Sequence, residues 1–186
     1  MAKLIYVANV SLDGYIEDEN GSFDWTAPDD ALLAFITDLV RPVGTHLYGR
    51  RLYETMAVWE TDPALAASSE LMADFANVWQ AADKVVYSTT LDAVSTTKTR
   101  LEHTFDPDSI REVKASATTD ITVGGARLAA DALRAALVDE CHLIIRPVLV
   151  GGGKPALPRG TRIDLELIDD RRLSNGVMYV RYRVPT

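Results

Sequence analysis

The sequence has very few of the residues that form disulfides and metal sites. Its 186 residues include one cysteine, Cys141, and three histidines, His46, His103 and His142. A single cysteine excludes an internal disulfide and favours a reducing compartment, and we expect it to be a small buried residue. The histidines lie far apart and match no zinc-site spacing, so no metal is expected. His46 and His142 fall in predicted strands, where core or interface positions are expected.

Long apolar runs and an excess of positive charge are also missing. No stretch approaches the length of a membrane span, and residues 1–5 enter a strand directly, without the shape of a signal peptide. With 19 Lys and Arg against 27 Asp and Glu, the formal charge is −8. An acidic chain is a poor partner for nucleic acid or an anionic membrane. We therefore expect a cytoplasmic protein that binds neither.

Several familiar catalytic and nucleotide-binding motifs are absent. Without G-x-S-x-G, serine hydrolysis has little support, and without G-x-G-x-x-G an ordinary Rossmann domain is disfavoured. The run Gly151-Gly152-Gly153-Lys154 looks like a phosphate loop, but the upstream glycine spacing is wrong and Pro155 stands where Ser or Thr would hold magnesium. We interpret this run as a flexible connection after a strand, and leave contact with a substrate or a second subunit open.

What the chain does have is a regular alternation of predicted strands and helices. The predicted strands span residues 3–10, the run ending at Gly49, 84–88, 99–104, 121–124, 142–150, 165–168 and 177–184. The predicted helices span residues 28–40, the segment from Gly49 to 56, 62–82, 106–117 and 128–137. This alternation predicts one α/β domain over residues 1–186, with a mostly parallel sheet, helices on both faces and an antiparallel final strand pair.

The most informative segment is residues 45–54, which predicts a buried strand, a glycine turn and a helix. A helix start has unpaired N–H groups and the positive end of the helix dipole, and so favours anions. Gly49 allows close approach of a ligand, and Arg50 and Arg51 present guanidinium groups suited to phosphate. Together these features suggest a phosphate site.

A second segment, residues 120–128, repeats this order of strand, glycine turn and helix. Gly124 and Gly125 form its turn, and Arg127 follows. A single turn of this kind is more often a plain connection than a phosphate site. Two in one sheet, each with arginine, would suit a ligand with several phosphates, such as a dinucleotide.

Acidic residues around the first loop are the best candidates for chemistry. They are Asp13, Asp24, Asp29 and Asp30, and Trp25 lies among them. A carboxylate at a helix start is usually just a cap. Beside an aromatic side chain, however, it can also bind a flat, nitrogen-rich ring through paired hydrogen bonds.

Three motifs resemble dihydrofolate reductases. Residues 25–30 resemble the Trp-x-x-Pro-x-Asp stretch whose acid binds the pterin and aids proton delivery, and the match places that acid at Asp30. Residues 49–54 resemble the Gly-Arg-x-Thr-Trp-Glu turn that holds NADPH phosphates, with Leu52 in place of the threonine. Residues 123–125 resemble the Gly-Gly turn under the pyrophosphate, which implies a cis peptide between the glycines.

A closer resemblance is to the reductase domain of riboflavin biosynthesis and its stand-alone relatives. It is carried by residues 11–16 (Ser-Leu-Asp-Gly-Tyr-Ile), by 137–140 and by the late strand with its glycine run, residues 147–153. The motifs come in the family's order and span nearly the whole chain. The resemblance implies the dihydrofolate reductase-like fold and a homodimer built partly by the late strands.

The resemblance also implies a function: NADPH-dependent reduction of a pterin-like or ribosylaminopyrimidine-like heterocycle. It implies Asp30, Asp29 and Asp13 as catalytic candidates, and Asn9 and Trp25 as substrate-binding residues. The cofactor-binding residues that it implies are Gly49, Arg50, Arg51, Ser88, Thr89, Gly124, Gly125, Ala126, Arg127 and Leu128. Two alternatives remain: a non-catalytic nucleotide-binding module of the same fold, and a sugar-phosphate or nucleotide isomerase that uses the same turns.

Overall fold

The computed structural model describes residues 1–185 and contains an extended central sheet. The strands are β1 (Leu4–Ser11), β2 (Tyr15–Glu17), β3 (Val43–Gly49), β4 (Asp83–Tyr87), β5 (Thr99–Glu102), β6 (Asp120–Gly124), β7 (Glu140–Arg146), β8 (Lys154–Pro155), β9 (Glu166–Arg172) and β10 (Met178–Arg183). The helices are α1 (Asp30–Val40), α2 (Arg50–Met56), α3 (Val58–Thr61), α4 (Pro63–Ala66), α5 (Glu70–Ala81), α6 (Pro107–Ser116) and α7 (Ala126–Arg134). Short 3-10 turns lie at Asp24–Thr26 and Ser174–Gly176.

Within residues 1–185 the main sheet has eight strands in the order β5-β4-β3-β6-β1-β7-β10-β9. The first six are parallel, and β10 pairs antiparallel with both β7 and β9. This confirms the predicted α/β class and the antiparallel final pair. The carboxyl ends of the parallel strands share one edge, and β6 lies between β3 and β1 there.

Helices cover both faces of the sheet, as predicted. On one face, α6 and α7 pack against alternate residues of β1 and β6; the buried residues contributed by α7 are Leu128, Ala129, Ala132 and Leu133. On the other face, Leu33 of α1 and Trp79 of α5 belong to a cluster with Tyr48. No helix in the described part of the chain has the length and apolar character needed to cross a membrane.

Several predicted boundaries were wrong, for local reasons. The single helix over residues 62–82 is divided, because Asp62 caps α4 and the Ser69 hydroxyl accepts from the Met72 N–H at 3.1 Å to start α5. The strand predicted to reach residue 150 ends at Arg146, since Pro147 follows and has no N–H for the sheet. Helix α7 ends at Arg134 rather than 137, and β9 is longer than predicted.

His46 is buried in the sheet, between Lys84 on β4 and Thr122 on β6. Its Nδ1 lies 2.6 Å from Thr122 Oγ1, and its Nε2 is buried without a hydrogen-bond partner in residues 1–185. Burial, with a smaller contribution from Lys84, lowers the pKa of His46 from 6.5 to about 4. The ring is therefore neutral in the folded protein near neutral pH.

We predict that acidification destabilises the protein through His46. The unfolded chain takes up this proton near pH 6.5 and the folded chain only near pH 4, so stability is full above the first value and falls towards the second. The loss from this residue approaches about 3 kcal/mol. Denaturant unfolding at a series of pH values measures it, and His46→Gln should flatten the profile. Burial also lowers the pKa of His142, so the His46→Gln protein should keep part of the dependence of stability on pH.

A His46→Gln protein with the full wild-type slope would contradict the assignment.

Candidate functional site

A cleft of about 600 Å³ lies over the carboxyl edge of the sheet. The ends of β3, β4 and β6 and the starts of α2 and α7 surround it. Its lining residues are Gly49, Arg50, Arg51, Leu52, Tyr87, Ser88, Thr89, Thr90, His103, Phe105, Gly125, Ala126, Arg127, Leu128, Asp131 and Lys154. In open α/β sheets, the crevice outside the carboxyl ends of the strands is the usual place for a ligand.

The two helix starts at this cleft differ from others in the described chain. Helices α1, α4, α5 and α6 each begin with a side chain that accepts a hydrogen bond from a backbone N–H of the first turn. The accepting side chains are those of Asp29, Asp62, Ser69 and Asp106, in that order. Helices α2 and α7 begin at Gly49 and Gly125, and neither has a side-chain cap. Their first N–H groups are therefore available to an anionic ligand in the cleft.

Two glycines bring the cleft's turns close together. A Cβ on Gly124 would lie 2.4 Å from Leu52 Cδ2, and one on Gly125 would lie 3.4 Å from the Gly49 nitrogen. Gly125 also has φ +93°, a region that L side chains rarely adopt. The geometry suits the phosphates of a dinucleotide, which need bare backbone. Residues 1–185 contain no cis peptide bond, so the implied cis bond between these glycines is wrong.

The arginines of the first turn extend to different sides of the cleft. Arg50 donates to Glu54 Oε1 at 2.8 Å and to Thr90 Oγ1 at 2.8 Å, on the β4 side. Arg51 instead pairs with Glu17 Oε1 on β2 at 3.2 Å. The two guanidinium groups would therefore contact different parts of a bound ligand.

The cofactor-binding residues named from the sequence meet in this cleft, with one exception. Gly124 is buried behind the lining, where its lack of a side chain admits Leu52. Seven lining residues were not named from the sequence as cofactor-binding: Leu52, Tyr87, Thr90, His103, Phe105, Asp131 and Lys154. The strand order could have predicted that the residues at the ends of β4 and β5 line the cleft. No local sequence pattern predicted this for Lys154.

The three candidate acids have different surroundings. Asp29 is the N-cap of α1: its carboxylate accepts from Leu32 N at 2.8 Å, Ser174 Oγ at 2.9 Å and Asn175 Nδ2 at 2.6 Å. The hydrogen bonds from Leu32, chiefly, and from Ser174 lower the pKa of Asp29. Asp30 is exposed in the first helical turn.

Asp13 connects the first loop to the late glycine run. Its carboxylate accepts from Val150 N at 3.2 Å and from Gly151 N at 2.8 Å. Hydrogen bonding with Ser11, and then these backbone bonds, lowers the pKa of Asp13. Its observed contacts are thus those of a loop clamp.

Buried polar atoms without partners lie near the ends of β1 and β7 and in the Asp24–Thr26 turn. They are Asn9 Oδ1, Trp25 Nε1 and Arg146 Nη1, unpaired among residues 1–185. Asn9 and Arg146 share one sheet face, because Asn9 pairs with Ile144 and Ser11 with Arg146. The other terminal nitrogen of Arg146, Nη2, donates to Ala27 O at 2.8 Å, which brings the guanidinium to the segment after Trp25. Unpaired buried donors and an acceptor favour a polar ligand here.

Comparison with known proteins identifies the family. The chain matches the model of the RibD C-terminal domain over residues 2–179. It belongs to the RibD C-terminal domain family. A curated relative in sequence, the uncharacterized protein YyaP of Bacillus subtilis (strain 168), is 28% identical over 182 residues, or 97% of this chain and 94% of YyaP.

Solved structures show which known folds this RibD C-terminal domain protein resembles. A putative riboflavin biosynthesis protein from Shewanella sp. PV-4 superposes with a TM-score of 0.76 at 22% identity, covering 100% of both chains. A dihydrofolate reductase from Enterococcus faecalis, complexed with NADP(H), superposes with a TM-score of 0.66 at 12% identity, covering 99% of this chain and 97% of that one. The predicted dihydrofolate reductase-like fold is confirmed.

The cap geometry of this family member gives a test that needs no ligand. Asp29→Ala removes an acceptor for three donors and should lower the melting temperature by roughly 2–6 °C. Asp30→Ala, one residue later and exposed, should leave it within about 1 °C. Thermal unfolding followed by circular dichroism measures both. Equal effects of the two substitutions would refute the assignment of the cap to Asp29.

Proposed function

We propose that this protein is an NADPH-dependent reductase of a flat heterocycle, pterin-like or ribosylaminopyrimidine-like. The observation that carries the proposal is the cleft at the carboxyl edge of the sheet, with two helix starts that lack side-chain caps and a glycine turn between them. Membership of the RibD C-terminal domain family and the dihydrofolate reductase-like fold support it. NADPH would supply the hydride.

The chain's own residues would bind the cofactor and orient it. Backbone N–H groups at the starts of α2 and α7 would hold phosphate oxygens, and Arg50 and Arg127 would add charge-assisted hydrogen bonds. Ser88 and Thr89, at the end of β4, line the same cleft. Arg127 is exposed and has no ion-pair partner among residues 1–185, so no carboxylate of the described chain competes for it.

The substrate would occupy the other side of the β1 end. Asn9 Oδ1 can accept a ring N–H, while Trp25 Nε1 and Arg146 Nη1 can donate to a carbonyl or another acceptor. A substrate with adjacent donors and acceptors would satisfy all three. Asp30 is the proposed proton source, since Asp29 is occupied as the helix cap.

The two alternatives separate on simple measurements. A non-catalytic module of the same fold would bind NADPH and never oxidise it, and an isomerase would bind a sugar phosphate or nucleotide without consuming NADPH. The test is NADPH binding by fluorescence, followed by loss of NADPH absorbance with a panel of flat heterocycles. Absence of NADPH binding would refute the proposed function.

Arg50 should determine the preference for NADPH over NADH. Its guanidinium is held near Thr90, beside the cleft residues of β4, where the additional 2′-phosphate would lie. Loss of one charge-assisted contact costs about 1.5–3 kcal/mol. Arg50→Ala should therefore weaken NADPH binding roughly 10- to 150-fold and NADH binding little. Equal NADPH and NADH affinities in the wild type, or an unchanged ratio in Arg50→Ala, would refute this role.

Asp30→Asn should reduce turnover and not cofactor binding. The amide keeps the size of the side chain but cannot deliver a proton at the substrate. We expect a near-normal melting temperature, unchanged NADPH affinity and a rate lowered on the order of 10²-fold or more on any substrate found in the panel. The matched control is Asp29→Asn. A rate lost in Asp29→Asn and retained in Asp30→Asn would move the proton role to Asp29.

The homodimer and the cytoplasmic location stay proposals. The former rests on the family resemblance, and β9, an edge strand, carries the exposed Leu167. The latter rests on the single cysteine, which burial keeps protonated with a pKa raised to about 11.

A further inference from the structure

The glycine run before Lys154 is a close-packed element and not the flexible connection expected from the sequence. It leads into β8, which pairs antiparallel with β2. A Cβ on Gly153 would lie 2.1 Å from the Glu17 carbonyl oxygen, and Gly153 has φ +123°. A Cβ on Gly152 would lie 2.5 Å from Glu19 Oε1. At Gly153 only glycine allows this approach of the backbone, and the approach fixes the position of the next residue, Lys154.

Lys154 and Arg51 share one carboxylate. Glu17 Oε1 lies 2.8 Å from Lys154 Nζ and 3.2 Å from Arg51 Nη1. The Glu17 side chain is 16% exposed, while those of Lys154 and Arg51 are 31% and 75% exposed. Glu17 takes one contact from each cation, and their other side-chain N–H donors have no hydrogen-bond partner among residues 1–185, so the pair can accept a further anion.

Both cations face the cleft. Lys154 and Arg51 line it, whereas Glu17, Asp18 and Glu19 do not. The three acids line a neighbouring open depression, which Arg51 and Lys154 also line, so the two cations stand between the acids and the cleft. The only acidic residue among the cleft's lining residues is Asp131.

We propose that Lys154 and Arg51, held together by Glu17, form a second phosphate subsite in the cleft. It lies on the β2–β8 side, away from the Arg50–Thr90 contact, and it rests on the proposed function only for the identity of the ligand. An ammonium and a guanidinium that converge on one point suit a phosphate, which offers several acceptor oxygens at once. That phosphate belongs either to the pyrophosphate of the dinucleotide or to the substrate.

The test compares Lys154→Met with two controls. Lys154→Arg keeps the charge, and Lys98→Met removes an equivalent charge at the amino end of β5, the opposite edge of the sheet. The probes are inorganic pyrophosphate, NADPH and adenosine 2′,5′-bisphosphate, titrated calorimetrically at low salt. Melting temperatures are measured for every variant.

We expect pyrophosphate to bind the wild type, Lys154→Arg and Lys98→Met, and to bind Lys154→Met at least 10-fold more weakly. If the cofactor supplies the phosphate, the affinity for NADPH weakens to the same degree. If the substrate supplies it, NADPH affinity is unchanged, and NADPH-saturated wild type binds inorganic phosphate that Lys154→Met does not. Either pattern supports the subsite.

A purely structural role for Lys154, as the partner of Glu17, predicts a lower melting temperature with unchanged affinity for every probe. That result overturns the proposal, as does a wild type that binds no pyrophosphate. Failure of the proposed function looks different: pyrophosphate still discriminates wild type from Lys154→Met, while neither NADPH nor the bisphosphate binds either protein.

Discussion

The approach of two backbone turns at the carboxyl edge of the sheet determines the rest of the site. Because β6 lies between β3 and β1, the turn at Gly125 meets the turn at Gly49 directly. The absence of a side chain at Gly124 makes room for Leu52, and the positive φ of Gly125 directs the chain into α7. The starts of α2 and α7 consequently lie side by side. A side chain at Gly124 would displace Leu52, and one at Gly125 would be strained by its positive φ.

The positions of the charged residues in this protein matter more for the cleft than the net charge does. The formal charge is −8, yet Arg50, Arg51, Arg127 and Lys154 all line one cleft. Arg50 pairs with Glu54, and Arg51 and Lys154 share Glu17, while other acids act elsewhere: Asp29 and Asp106 cap helices, and Asp13 clamps a loop. Acidic side chains thus accept hydrogen bonds from backbone N–H groups away from the cleft. The N–H groups at the helix starts in the cleft stay available to a ligand. An anion in the cleft would therefore be held by local N–H donors, against the negative net charge of the whole molecule.

Much of this arrangement could be predicted from local sequence, and the exceptions depend on distant partners. Hydrophobic periodicity located the strands, and glycine between strand and helix located both turns of the cleft. The different directions of Arg50 and Arg51 depend on Thr90 and Glu17, which no local pattern connects to them. Strand β8 has two residues, too few for any periodicity, and so Lys154 could not be assigned to the cleft. The choice of Asp29 over Asp30 as the cap depends on one backbone torsion, with Asp29 extended at ψ 175°.

The contacts of Asp29 also join segments of the chain that are synthesised at different times. Its carboxylate binds Leu32 N within the same helix, but also Ser174 and Asn175, 145 and 146 residues later. A ribosome makes those two residues long after it makes Asp29. The start of α1 can therefore form early on its own N-cap, but it acquires its remaining donors only after β1 to β9 have been made. The segment that carries Trp25, Asp29 and Asp30 thus reaches its final order late, after most of the parallel sheet can have assembled.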